Sequence, residues 1–225
     1  MGYIGDEDEG GDSGAGKSLE MSGRKGIGVK ADDLMDRLEA KSREEVHERW
    51  PDLSGIDLER MAHEIATAAL RFFMVKATTN RIIAFDFDEA LNFEGESGPY
   101  LQYSMVRVKN IRRRLREEGL DDSVTADEIA ALPAGFIPDD LWDLVLEVAQ
   151  TGETVEKGAE SLELSLIARH ALGLAQRLNT LYAKHNILKE ADPQLRAVRL
   201  ATILIFFRGL ETVSELLGIP VPEKM

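Results

Sequence analysis

From Ala31 to the C-terminus the apolar residues recur at helical spacing, broken by a single strand-like run, so this chain can bury itself only as packed helices. Leu34 and Leu38 open one amphipathic stretch, which closes near Trp50-Pro51, and Leu58, Met61, Ile65, Ala68 and Phe72 mark a second. The strand-like run is Arg81 to Phe87 (RIIAFDF). Gly98-Pro99 then opens a long helix that Gly119 stops, because proline fits a first helical turn. Thr125 and Glu128 have capping-box spacing and predict a short helix ending before Pro133. Further helices are expected over about Pro138 to Ala149, near Thr154, and over Leu162 to Lys184. Asp192-Pro193 caps the last helix, which runs to Gly218 and turns Ile203, Phe206, Phe207, Leu210, Val213 and Leu217 toward a core. The fold class read from this pattern is mainly α, with a bundle over 99–225.

A chain of 225 residues with 44% hydrophobic content can bury one sizeable core and a small second unit. It contains no cysteine, which favours a cytoplasmic location over a secreted one. The longest apolar run, Leu200 to Phe207, is far shorter than the roughly 20 residues that cross a bilayer, and no basic, apolar leader follows Met1. No membrane partner is expected. Residues 1 to about 30 are rich in glycine and acid and show no apolar period, so they read as a flexible or borrowed segment.

The net charge of -14 argues against nucleic acid, yet the charge is unevenly spread. Ser97 to Arg116 contains no acid, and Arg107, Lys109, Arg112, Arg113, Arg114 and Arg116 crowd its second half. On a helix these wrap more than one face, so some meet solvent or a polyanion; the plainer reading is a solvated basic helix offsetting nearby acids such as Glu117 and Glu118.

Several motifs point to chemistry that their surroundings oppose. Gly11 to Ser18 (GDSGAGKS) fits the phosphate-loop pattern and would suggest a nucleotide hydrolase, but Asp6 to Glu9 precede it where a buried strand is required. Asp86 and Asp88 (FDFDEAL) follow a hydrophobic run like the paired aspartates of haloacid-dehalogenase-like phosphatases, but Ala90 stands where that family has threonine or valine. Helix capping or pairing with basic neighbours is the expected role of these two acids. His47, His63, His170 and His185 have no second ligand at metal spacing, so no metal site is assigned.

Three separated stretches, taken in order, resemble arginyl-tRNA synthetase: Glu20 to Leu34 (EMSGRKGIGVKADDL), Phe93 to Arg116 (FEGESGPYLQYSMVRVKNIRRRLR), and Leu166 to the end, with LIARHALGLAQRLNTLY, DPQLRAVRLA and LGIPVPEKM. The resemblance implies a helical anticodon-binding domain (99–225) preceded by a small α/β remnant of the class I catalytic domain (1–98). It places Met21, Ser22, Arg24 and Lys25 at the catalytic loop, where the family carries K-M-S-K-S; here Glu20 replaces the first lysine and Gly23 the second. It implies ATP, magnesium, arginine and arginine tRNA as ligands of the intact enzyme. The H-x-G-H signature is absent, so this chain alone is expected to hold no cofactor and to need the N-terminal part of the catalytic domain. The resemblance also puts Tyr182, Asn186 and Met225 at the anticodon, with Lys184 and His185 expected to supply charge beside the Tyr182 ring. Arg112, Arg113 and Arg116 are expected to meet phosphates. A free-standing, non-catalytic tRNA-binding or interaction module derived from the synthetase is the alternative.

Overall fold

A computed structural model describes residues 2–3, 19–20 and 30–225. The described fold is carried by helices: α1 (Ala31–Arg49), α2 (Gly55–Val75), α3 (Phe87–Ala90), α4 (Gly98–Glu117), α5 (Ala126–Ala130), α6 (Asp139–Ala149), α7 (Thr151–Ser161), α8 (Leu164–Lys184) and α9 (Pro193–Leu217). The described strands are two residues each. They are β1 (Gly2–Tyr3), β2 (Leu19–Glu20) and β3 (Ala84–Phe85), in the order β2-β1-β3, with β1 antiparallel to β2 and parallel to β3. The mainly α class is borne out.

Local chemistry sets several helix ends. The capping box forms as read, with the Glu128 amide donating to Thr125 Oγ1 at 3.3 Å and the Thr125 amide donating to Glu128 Oε2 at 2.6 Å. The Asp192 carboxylate accepts from the amides of Gln194 and Leu195 at the start of α9. At its far end Gly218 adopts φ 66°, and the amides of Gly218 and Ile219 close back on Glu215 and Ser214. Of the α9 residues expected to face a core, Phe207 is only partly buried and the other five are buried.

The strands β1 and β2 and the short helix α3 are not among the elements expected from the sequence, and two expected elements have different bounds. The strand shrinks from Arg81–Phe87 to Ala84–Phe85, because the Arg81 amide closes a turn on the Thr78 carbonyl and Asp86 caps α3 by accepting the Glu89 amide at 3.0 Å. Asp88 lies 3.6 Å from Lys41, so this acid pair caps and pairs instead of forming a phosphatase dyad. Helix α8 begins at Leu164, not Leu162, since Leu162 takes the left-handed conformation (φ 56°) that ends α7.

Two apolar clusters result. One joins α4, α6, α8 and α9, with Ala68 and Phe72 of α2. The other joins α1, α2, β3 and α3, with Val106 of α4 and Met225. The first turn of α4 rests against α2 so closely that a Cβ on Gly98 would lie 2.0 Å from the Ala68 carbonyl oxygen. After α9 the chain returns along α4. The buried Gln102 amide donates to Pro220 O (2.7 Å) and Glu64 O (3.0 Å), and Lys109 Nζ reaches Pro222 O and Glu223 Oε1.

Two histidines make stability depend on pH. Burial holds the imidazole of His170 below its ordinary value, against the opposing pull of Glu147, and Nε2 lies 2.9 Å from Thr151 Oγ1. Burial lowers His185 too, followed by the Arg199 and Lys184 charges. The unfolded chain therefore takes up these protons first as pH falls, so this stability is complete above about pH 6.5 and declines below it. The melting temperature is expected to begin falling there, and His170→Gln with His185→Gln to flatten the fall. A decline unchanged in the double variant would assign it to carboxylates such as Asp140, which its hydrogen bond from Lys184 holds low and which titrates in a more acid window.

Candidate functional site

The face shared by α4 and α8 is organised by one polar relay. Ser104 is fully buried and donates to the Tyr100 carbonyl at 2.8 Å. Its oxygen accepts from Asn179 Nδ2 at 2.8 Å, and Asn179 Oδ1 accepts from Arg107 Nη1 at 2.6 Å. Arg107 is thereby fixed between two rings, with its Cζ 4.6 Å from the centroids of both Tyr103 and Tyr182. The rings stay 36% and 40% exposed. The face thus offers flat aromatic surface with a fixed cation beside it, the combination on which an unstacked base can settle.

The charge beside Tyr182 therefore comes from Arg107, whereas Lys184 and His185 turn toward α6. Lys184 pairs with Asp140, and His185 Nε2 lies 3.7 Å from the same carboxylate. The placement of Tyr103 one helical turn before Arg107, inside an acid-free segment, was the available sequence signal for this partner. The contact to Tyr182 crosses between helices and has no local signature.

Beside these rings, an open recess of about 660 Å³ is lined by Tyr182, Asn186, Ile111, Arg114 and Lys189 together with the acids Glu117 and Glu118. Asn186 Oδ1 accepts the Lys189 amide at 3.2 Å. Arg114 is exposed and has no ion pair among the described residues. The other arginines are engaged. Arg112 and Arg116 converge on Asp122 at 3.1 and 3.5 Å, and Arg113 pairs with Glu117 at 2.8 Å. Two guanidiniums on one carboxylate still leave one unit of positive charge.

Met225 is 8% exposed and packs in the second apolar cluster with Val106, the residue preceding Arg107. Arg196 donates to the Glu190 carbonyl at 3.0 Å and Arg199 pairs with the Glu190 carboxylate, so both brace the entry to α9. Met21, Ser22, Arg24 and Lys25, like Gly11 to Ser18, lie outside the described residues. Among the described residues no group of three or more His, Asp or Glu could hold a metal ion, and no helix is long and apolar enough to cross a membrane.

Residues 101–225 match the DALR anticodon binding domain, and the chain belongs to that family. Its similarity extends to arginine–tRNA ligases over nearly its whole length. It is 32% identical over 221 residues to that of Halorubrum lacusprofundi and 34% identical over 212 residues to that of Thermus thermophilus, in each case across 92% of this chain. Those stretches cover 37% and 34% of the ligases, so the chain spans about a third of the length of these relatives. The Thermus thermophilus arginyl-tRNA synthetase structure superposes with a TM-score of 0.73 at 31% identity, over 88% of this chain and 32% of that one. The Plasmodium falciparum enzyme shares the fold, with a TM-score of 0.74 at 20% identity, over 88% of this chain and 34% of that one. The resemblance first seen in three short stretches is borne out.

Proposed function

We propose that this chain is the tRNA-gripping portion of an arginine–tRNA ligase and holds arginine tRNA on the α4–α8 face. The observation that carries this reading is the Tyr103–Arg107–Tyr182 stack, exposed on a domain of the anticodon-binding family. In this reading Tyr182 and Asn186 meet anticodon bases with Met225 nearby, and residues 99–225 form the binding unit. Residues 1–98 belong to the catalytic side, with Met21, Ser22, Arg24 and Lys25 on its loop. Arginylation, with ATP and magnesium, takes place in the cytoplasmic enzyme whose remaining catalytic part is this chain's partner.

The excess positive charge of α4 is the part of the reading most open to direct test, because each phosphate contact contributes to the salt dependence of binding. Replacing Arg112, Arg113 and Arg116 by glutamine should weaken arginine tRNA binding and flatten the slope of log affinity against log salt by roughly one unit per lost contact. Arg114→Gln should act in the same direction without disturbing an ion pair. An unchanged slope in both variants would assign the helix to protein packing.

A further inference from the structure

We propose that the outward face of α6 docks a protein segment carrying an apolar ridge flanked by lysine or arginine. Helix α6 is apolar over a wider arc than its packing uses. Leu141 is buried in the core and Leu144 and Val148 pack partly against it, yet Trp142 and Leu146, one turn apart, are 50% and 48% exposed on the outer side. Asp139 and Asp143 border this apolar stripe, are exposed, and have no ion pair among the described residues. On the neighbouring flank the acids are already neutralised, Asp140 by Lys184 and Glu147 by Arg177.

Those two free carboxylates select the occupant. A phosphate backbone would be repelled by them, which separates this face from the α4–α8 surface, and a second copy of a chain of charge -14 would bring its own acids against them. A basic amphipathic helix satisfies both requirements, with apolar side chains against Trp142 and Leu146 and cations beside Asp139 and Asp143.

The test uses the 225-residue chain with Trp50→Phe, leaving Trp142 as the sole tryptophan, excited selectively over the tyrosines. The probe is a synthetic helix of about 16 residues with leucine at every third and fourth position and lysine elsewhere. The same helix with glutamate in place of lysine is the control. The lysine helix should shift Trp142 emission to the blue and saturate, and the glutamate helix should not. Leu146→Asn, or Asp139→Asn with Asp143→Asn, should weaken binding about tenfold with little change in melting temperature. Asp32→Asn with Asp33→Asn, which removes two acids from α1, should leave it unchanged. The proposal is overturned if the lysine helix fails to bind, binds all variants alike, or is matched by the glutamate helix. It is equally overturned if only tRNA moves the Trp142 emission, or if sedimentation shows self-association that Leu146→Asn abolishes.

Discussion

Gly98→Ala should destabilise the chain by about 3 kcal/mol or more, because the new methyl would fall 2.0 Å from the Ala68 carbonyl oxygen and only backbone movement could relieve it. At this chain length that corresponds to a fall of roughly 6–12 °C in melting temperature. Gly119→Ala is the informative comparison. Gly119 has φ 70° and open space around its α-carbon, so alanine there costs only left-handed strain, about 1–2 kcal/mol. Thermal unfolding should therefore rank Gly98→Ala well below Gly119→Ala, and the reverse order would show that α4 does not seat on α2 this closely.

Tyr182→Ala should reduce affinity for arginine tRNA roughly ten- to hundredfold, since stacking of a base on an aromatic ring contributes about 1–3 kcal/mol. Tyr182→Phe should retain most of the binding, because both the stacking surface and the contact with Arg107 belong to the ring and not to the hydroxyl. The ring is 40% exposed, so the alanine variant should melt close to the parent, which separates a binding defect from a folding defect. Unaltered tRNA affinity and anticodon preference in Tyr182→Ala would remove this residue from the interface.

What the sequence disclosed about the fold was the part written in neighbouring residues. Thr125 with Glu128, Asp192 with Pro193, and Gly218 set helix ends through contacts a few residues apart, and each end lies where its signal put it. The Arg81–Phe87 run has β-prone composition throughout, but a competing local device, the Asp86 cap that starts α3, ends the strand at Phe85. The candidate site was legible in its members but not in their pairing. Tyr182 and Arg107 stand out separately in sequence, yet their contact depends on Asn179 and Ser104, 75 residues apart. In the same way, nothing local indicates that Arg112 and Arg116 share Asp122, or that Gln102 is bonded to a carbonyl 118 residues away.

Helix α2 contributes Ala68 and Phe72 to one cluster, and Ile65, Ala69 and Phe73 to the other. It is a party wall between two rooms, and neither room can be emptied without baring one side of it. A packing defect introduced beside α1 must therefore be felt at the seat of α4, because the same rod of backbone carries Ala68 and its neighbours on both faces. Whatever strains the N-terminal helices is handed, through that shared wall, to the helix on which Tyr103 and Arg107 stand.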